Sequence, residues 1–172
     1  TNWAQGGIAA VLDPTDSFEA HVADTLGTGG GLSHHDVVEM VVRDGPERVR
    51  ELAARGAEFT ETDAGGALDL TREGGHSARR VVHAGDVTGQ EVQRALSAAT
   101  RAHPNIELRE GHMAIDLLET SRFGGPKEVA GAYVLEEATG AVHKIHAKAT
   151  VLATGGAGKV YLYTSNPDIA TG

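Results

Sequence analysis

The 172-residue chain contains no cysteine, and this absence excludes several kinds of chemistry. Without cysteine the chain has no disulfide, no thiolate nucleophile and no cysteine-ligated metal site. Lysine and arginine are also few, since 15 of them stand against 24 aspartates and glutamates for a net charge of −9. Nucleic-acid binding needs clustered Lys and Arg, so this balance argues against a nucleic-acid partner. The lack of cysteine is compatible with the cytoplasm, where we expect the protein to be found.

Long apolar runs are absent as well. No stretch approaches the roughly 18 apolar residues of a membrane-spanning helix, so we expect no membrane span. The start of the chain also lacks the charged segment and apolar run of a signal peptide. The chain has no initiator Met, and residues 169–172 complete no obvious structural element, so we expect a fragment of a longer protein.

Glycine, in contrast, is abundant, with 23 residues of this type. The share is well above the usual value of about 7%. The glycines follow no regular period, which excludes collagen and simple repeats. They occur in pairs and triplets at the ends of predicted elements. Tight turns are the simpler explanation, and close approach of the backbone to a cofactor is the more specific one.

The spacing of apolar residues predicts a mixture of helices and strands, which indicates an α/β fold. Strands are predicted over 57–60, 68–70, 79–83, 106–108, 113–118, 129–135, 142–145 and 148–153. The strands 129–135 and 142–145 alternate like an antiparallel hairpin. The predicted helix starts are caps at Thr15 or Asp16, at Ser33 and at Thr88, with a separate helix from Glu47 to Arg55 after an interruption at Asp44–Pro46.

Three glycine-containing segments carry the candidate chemistry. We name Ala4–Gly7 the N-terminal glycine segment, Arg72–Ser77 the central loop and Ala153–Gly156 the C-terminal glycine segment. The stretch Leu70–Ser77 joins an acid, two bases and two hydroxyls to a Gly-Gly pair, with no apolar side chain after its first residue. Such a stretch cannot form a core. We expect the three segments to meet around one small ligand.

The two flanking segments are weak signals when taken alone. An apolar strand ending at Thr154-Gly155 fits a ligand at the carboxyl end of a sheet, although a simple strand-to-loop turn explains it better. In the N-terminal glycine segment, backbone N–H groups and the Gln5 amide could face a heteroaromatic edge or a phosphate. No G-x-G-x-x-G follows an apolar strand, so a dinucleotide fold would need that element upstream.

The central loop is more specific. Arg72 and Glu73 could form a surface ion pair worth under about 1 kcal/mol. Beside a ligand, an ionised Glu73 would instead attract a cationic amine, with His76 and Ser77 as hydrogen-bond partners. We expect no metal site, because no second His or acid stands at metal-ligand spacing from His76.

Five blocks together carry a resemblance to a known family. The chain resembles the L-aspartate oxidase family of flavoproteins, which is closely related to the flavoprotein subunits of succinate dehydrogenase and fumarate reductase. Five blocks in the same order are much more specific than any one of them. The matching blocks are Ala4–Ala9, Leu70–Ser77, His83–Gly89, His103–Ile106 and Ala153–Pro167.

The resemblance implies part of a Rossmann-like FAD-binding domain of the fumarate reductase flavoprotein type. The family's N-terminal βαβ unit and capping domain are not in this sequence. Residues 1–12 would contact the flavin, 13–110 would form a helical and substrate-loop region, and 111–172 would be a β-rich segment returning to the FAD sheet. The family's proton-shuttle Arg would follow Gly172, so we expect the fragment alone to be inactive.

The implied activity is FAD-dependent oxidation of L-aspartate to iminoaspartate, the first step of NAD biosynthesis from aspartate. Hydride would pass to flavin N5, and oxygen or fumarate would reoxidise the cofactor. Glu73 would orient the substrate amino group, with Thr71 and Gly74 also binding substrate. This position is typically not acidic in the dehydrogenase relatives. The implied FAD contacts are Thr1, Asn2, Trp3, Ala4, Gln5, Gly6, Gly7, Met113, Ala114, Ala153, Thr154 and Gly155.

Two alternatives stay open at this point. The chain could be a fragment of a succinate dehydrogenase or fumarate reductase flavoprotein subunit, in which case Glu73 would be incidental. It could also be a non-catalytic binding module that kept the fold without redox chemistry. The expected partners of the oxidase are L-aspartate, oxygen or fumarate, and the remaining segments of the full-length flavoprotein.

Overall fold

The chain divides into two compact units, Thr1–Ile106 and Glu107–Gly172. The computed structural model describes residues 3–63, 65–166 and 170–172, so Thr1 and Asn2 lie outside the described residues. Helices and strands are mixed along the chain, which confirms the predicted α/β class. The functional division at residues 12 and 110 stays a prediction. No helix of the described ranges is long and apolar enough to cross a membrane.

The first unit packs helices against a small antiparallel sheet. Its strands are β1 (Ile8–Ala9), β2 (Leu70–Thr71) and β3 (Val81–Val82), and β3 lies in the centre of the order β1-β3-β2. Both residues of β3 are buried, as expected for a central strand of β-branched residues. The core cluster consists of Ala10, Val49, Ala57, Phe59, Val82 and Ala95. The helices of this unit are α1 (Phe18–Thr28), α2 (His35–Ala54) and α3 (Thr88–Ala102).

Helix α1 is capped by Ser17, whose hydroxyl accepts a hydrogen bond from the Ala20 N–H at 3.1 Å. The predicted cap at Thr15 or Asp16 is wrong by one or two residues. The Asp16 carboxylate is instead directed to Arg80, with which it forms an ion pair. Asp16 therefore does not cap the helix, because its carboxylate pairs with Arg80, which is distant in the sequence.

Helix α2 runs without interruption through Asp44–Pro46, so the predicted break and the separate third helix are wrong. Its N-cap is His34 and not Ser33. A proline inside a helix costs about 3 kcal/mol. Packing offsets this cost, because Pro46 is buried in the helix and Gly45 lies close to Ala10, whose Cβ would be 3.7 Å from a Cβ at Gly45.

Helix α3 begins at Thr88 with Val87 as its N-cap, so Thr88 is not the cap that we predicted. The Thr88 hydroxyl instead accepts a hydrogen bond from the Ala84 N–H at 3.0 Å. The most buried apolar residue of the helix is Ala95, whereas Leu96 is exposed. A small side chain at the centre of the contact lets α3 approach the core closely.

The second unit is a three-stranded antiparallel sheet of order β4-β5-β6. Strands β5 (Val129–Glu136) and β6 (Val142–His146) form the predicted hairpin, and β4 (His112–Glu119) contains the predicted strand 113–118. The turn between β5 and β6 includes Gly140 at φ +71°. That left-handed conformation favours glycine.

Three predicted strands are not formed. Residues 57–60, 106–108 and 148–153 have no regular strand structure, although the Thr60 N–H donates to the His83 carbonyl at 2.8 Å. Val151 and Leu152 are 84% and 66% exposed. An apolar run becomes a strand only beside another strand that accepts its backbone hydrogen bonds, and no described strand pairs with 148–153.

Candidate functional site

The N-terminal glycine segment runs onto β1 beside the central strand. The Ala4 carbonyl accepts a hydrogen bond from the Gly89 N–H at 3.0 Å, which fixes the segment to the start of α3. A Cβ at Gly7 would lie 2.2 Å from the Val82 carbonyl oxygen. Gly7 is therefore required for packing. Gly6 differs, because no atom lies within 4 Å of the place of its Cβ.

An open cavity of about 400 Å³ lies where this segment meets α3. The predicted cofactor contacts Trp3, Ala4 and Gln5 line it on one side. Asp86 and Gln90 line it on the other. Sequence reasoning had placed Asp86 in a matching block without giving it a role, and it had missed Gln90, which lies one helical turn further on.

The central loop connects β2 to β3. It turns at Gly75, which has φ +84°, and the His76 N–H donates to the Glu73 carbonyl at 3.3 Å. A Cβ at Gly75 would lie 2.8 Å from Cγ2 of Thr28 in α1. The loop therefore passes close to α1, and its turn requires glycine for two reasons.

The exposed residues of the central loop are Arg72, Glu73, Gly74, Gly75 and Ser77. Neither the Arg72 guanidinium nor the Glu73 carboxylate makes a hydrogen bond or ion pair within the described residues. The surface ion pair considered from the sequence is therefore not formed. The Thr71 hydroxyl, by contrast, donates to the Val81 carbonyl at 3.4 Å.

A buried ion cluster lies next to the loop. The Arg80 side chain has no solvent exposure, and it donates to both Asp16 oxygens at 2.8 and 2.7 Å and to Oδ2 of Asp24 at 2.6 Å. Because the two carboxylates outweigh the opposing effect of burial, the pKa of Arg80 is raised. Sequence reasoning missed this cluster, since its members lie 64 and 56 residues apart.

Ser77 belongs to this cluster. Its N–H and its hydroxyl both donate to Oδ2 of Asp24 at 2.7 Å. The Ser77 N–H is the main reason that the pKa of Asp24 falls to about 2, and burial only partly opposes it. We had expected Ser77 to be a hydrogen-bond partner of a ligand, and the structure instead bonds it to α1.

His21 and His76 pack edge to face, with ring centroids 5.7 Å apart. Nδ1 of each ring is buried and has no hydrogen-bond partner within the described residues. Burial, followed by the charge of Arg80, lowers the pKa of His21. Within the described residues, no group of three or more His, Asp or Glu side chains is arranged as a set of metal ligands.

The remaining predicted cofactor contacts lie in the second unit. Met113 and Ala114 are in β4, an edge strand of the sheet, opposite Leu135 and Val134 of β5. An edge strand presents alternate backbone groups that its own sheet does not pair. The residues Ala153–Gly155 are exposed, and Gly155 has φ +81°. The meeting of all three glycine-containing segments around one ligand stays a prediction.

Comparison with known proteins places these features in a family. Residues 1–172 match the FAD binding domain family. The chain belongs to this family. FAD, the predicted cofactor, is thereby confirmed.

Curated relatives of this FAD-binding domain are named L-aspartate oxidases. The chain is 51% identical to L-aspartate oxidase 1 of Ralstonia nicotianae, with 100% of the chain and 33% of that protein covered. It is 49% identical to L-aspartate oxidase of Pseudomonas aeruginosa, with 98% and 32% covered. It is 48% identical to the chloroplastic L-aspartate oxidase of Arabidopsis thaliana, with 100% and 26% covered. The chain thus spans a third or less of the length of these relatives.

Solved structures confirm the predicted fold type. The chain superposes on E. coli quinol fumarate reductase FrdA with a TM-score of 0.89 at 32% identity, covering 98% of the chain and 28% of that protein. It superposes on Mycobacterium smegmatis Sdh1 with a TM-score of 0.83 at 30% identity, covering 98% and 30%. The FAD-binding domain is therefore of the fumarate reductase flavoprotein type.

The surroundings of three glycines test whether the residues fit FAD. Gly6, Gly74 and Gly156 come one from each glycine-containing segment, and none has a positive φ or an atom within 4 Å of the place of a Cβ. Neither backbone conformation nor packing within the described residues explains glycine there, although Gly27 in α1 has equally open surroundings. These open positions are compatible with close approach of a ligand to the backbone.

In the part of the chain that the structure describes, backbone hydrogen-bond donors without a partner occur at Gly6 and at the residue before it. The N–H groups of Gln5 and Gly6 make no hydrogen bond within the described residues. Such groups can bind the polar edge of a flavin ring. The residues present therefore fit the flavin end of FAD, whereas the sequence contains no G-x-G-x-x-G for its pyrophosphate.

Proposed function

We propose that the chain is the part of an L-aspartate oxidase that contacts the flavin and recognises the substrate amine. The full-length protein would oxidise L-aspartate to iminoaspartate in the first step of NAD biosynthesis from aspartate. The observation that carries this proposal is 51% identity over the whole chain to a protein named L-aspartate oxidase 1, against 32% to a fumarate reductase.

FAD, when bound, supplies the hydride acceptor at flavin N5. The role of the chain is to bind and orient. Glu73 lies exposed on the central loop with a carboxylate that no described residue neutralises. At a separation of 4 Å, its attraction for the substrate ammonium is worth about 1 kcal/mol in water and about 4 kcal/mol near a protein surface.

The same charge accounts for substrate choice. Succinate has no ammonium group, so its carboxylates would only be repelled by Glu73. Thr71 and Gly74, on either side of Arg72 and Glu73, complete the proposed substrate contacts. The Thr71 hydroxyl donates to the Val81 carbonyl, and its oxygen keeps acceptor capacity for the substrate ammonium.

The proposed cofactor contacts follow from open backbone positions. Gln5 and Gly6 offer N–H groups that make no hydrogen bond within the described residues, and Met113 and Ala114 lie on an edge strand, where alternate backbone groups are unpaired. The exposed residues Ala153–Gly155 would lie against the cofactor. Oxygen or fumarate would be the acceptor, and the similarity to quinol fumarate reductase supports fumarate.

Anaerobic bleaching of the flavin in the full-length gene product tests this function. The product is offered L-aspartate or succinate in separate experiments, and the oxidised-flavin absorbance is followed. We expect L-aspartate alone to bleach the flavin. Bleaching by succinate alone would refute the oxidase assignment.

The second candidate is a succinate dehydrogenase or fumarate reductase flavoprotein subunit. The TM-score of 0.89 to quinol fumarate reductase favours it. This candidate predicts bleaching by succinate and no specific effect of Glu73. A full-length product without any flavin absorbance would instead support a non-catalytic module that kept the fold.

A further inference from the structure

We infer that helix α1 positions the central loop for substrate recognition, and that Asp24 and Ser77 are the positioning residues. This inference rests on the proposed function, since it assigns the support for Glu73. Neither Asp24 nor Ser77 would touch the substrate. Their role would be to hold the loop that carries the substrate-recognising carboxylate.

The anchor of the loop is a single carboxylate oxygen. Oδ2 of Asp24 accepts the Ser77 N–H at 2.7 Å, the Ser77 hydroxyl at 2.7 Å and the Arg80 guanidinium at 2.6 Å. Hydrogen bonds to a charged group are about twice as strong as neutral ones. The C-terminal end of the loop is therefore held to α1 through one side chain that accepts all three bonds.

Arg80 fixes this anchor from the opposite side. Its guanidinium is held by both oxygens of Asp16, and its side chain has no solvent exposure. Its backbone N–H donates to the Thr71 carbonyl at 3.1 Å. Arg80 thus joins the start of the loop at Thr71 to its end at Ser77, and only residues 72–76 lie between the two fixed points.

Two further contacts of the loop are also with α1. The ring of His76 packs against the ring of His21, and Gly75 lies against Thr28. The His76 N–H in turn bonds to the Glu73 carbonyl at 3.3 Å. A displacement of Ser77 or His76 is therefore transmitted through the turn to Glu73.

Loss of the hydrogen bonds between Asp24 and Ser77 would leave the Glu73 carboxylate charged but let it occupy a wider range of positions. A misplacement of about 1 Å in a positioning contact can cost about a hundredfold. Ser77→Ala removes one of the two hydrogen bonds that Ser77 donates to Asp24, which is a smaller change, so we expect kcat/KM for L-aspartate to fall about tenfold.

The test uses the full-length flavoprotein with its FAD. The variants are Ser77→Ala, the conservative Ser77→Thr, and Asp24→Ala. Ser121→Ala is the matched control for serine, because the Ser121 hydroxyl also donates to a carboxylate, that of Glu119, at 2.6 Å. The measurements are kcat and KM for L-aspartate, flavin content, and hydrogen exchange of the peptide covering residues 72–79.

We expect a lower kcat/KM for L-aspartate and faster exchange in Ser77→Ala, with recovery of both in Ser77→Thr and no change in Ser121→Ala. An unchanged kcat/KM for L-aspartate in Ser77→Ala would overturn the proposal, as would a loss of kcat/KM that Ser77→Thr does not recover. If Asp24→Ala does not fold, the Ser77 variants decide the outcome. If the wild-type protein fails to oxidise L-aspartate, the proposed function is wrong. Equal hydrogen exchange of residues 72–79 in Ser77→Ala and Ser121→Ala would separately refute the role of Ser77 in holding the loop.

Discussion

Arg80 and Asp16 form a two-bond ion pair in which both side chains are almost completely buried. Their exposures are 0% and 2%, and the bonds run from Nε to Oδ2 at 2.8 Å and from Nη2 to Oδ1 at 2.7 Å. Taking two charges out of water is costly, so such a pair stabilises the fold only as long as both partners are present. The pair links the segment before α1 to the residue that precedes β3, the strand that follows the central loop.

Substitution of Arg80 should therefore be strongly destabilising. We expect Arg80→Met to lower the free energy of unfolding of the full-length protein by about 3–5 kcal/mol, because it leaves Asp16 buried without a counter-charge. The measurement is the urea unfolding midpoint. Arg50→Met is the control, since the Arg50–Glu47 pair is exposed and should contribute less than about 1 kcal/mol. Equal effects of the two substitutions would mean that the burial of Arg80 has no energetic role.

The sequence predicted features that depend on local pattern, and missed those that depend on distant contacts. The hairpin of β5 and β6 follows from alternation and a turn glycine. The Arg80–Asp16 pair could not be predicted, because its partners are 64 residues apart. The continuity of α2 through Pro46 was missed for the same reason, since it depends on the fit of Gly45 against Ala10. The predicted strand 148–153 has the right composition but no strand beside it.

The adjacent glycines Gly6 and Gly7 should respond differently to the same change. Gly7→Ala should lower thermal stability, because its Cβ would lie 2.2 Å from the Val82 carbonyl oxygen. Gly6→Ala should leave the melting temperature of the apoprotein unchanged and weaken FAD binding, because its Cβ would occupy open space. Melting curves with and without FAD, together with flavin titration, check both expectations. A Gly6→Ala variant that binds FAD as tightly as the wild type would show that the ligand does not approach this residue.

Removal of the Glu73 charge should affect the oxidation of L-aspartate and the reduction of fumarate by the full-length protein to different extents. Glu73→Gln should lower kcat/KM for L-aspartate far more than for the reduction of fumarate, because only L-aspartate carries an ammonium group. The Coulomb attraction between two unit charges 4 Å apart is about 4 kcal/mol at an effective dielectric constant of about 20, and this sets the upper limit of the loss. Glu58→Gln is the matched control, since Glu58 is an exposed glutamate with its side chain 87% accessible. Equal losses with both substrates would indicate that Glu73 has a structural role.

His21 should make stability fall as the solution becomes acidic. Burial first, and then the neighbouring charge of Arg80, lower the pKa of His21 below its ordinary value of 6.5 in the folded protein, with His76 acting in the same direction and Asp16 and Asp24 opposing. Below pH 6.5 the unfolded chain therefore binds more protons at this residue than the folded chain does. Stability contributed by neutral His21 is present above pH 6.5, is lost as the pH falls, and stops changing below the folded pKa.

Measuring the melting temperature between pH 7.5 and pH 5 tests the direction of this pH dependence. Each unit of difference between the folded and unfolded pKa corresponds to about 1.4 kcal/mol of stability. His21→Gln removes the titrating group, so its melting temperature should depend less on pH than that of the wild type. His34→Gln is the control, because His34 is exposed at the start of α2. If the melting temperature of His21→Gln depends on pH as that of the wild type does, then His21 accepts its proton without a cost in stability. In that case a counter-ion or water beside the buried ring offsets the charge of Arg80.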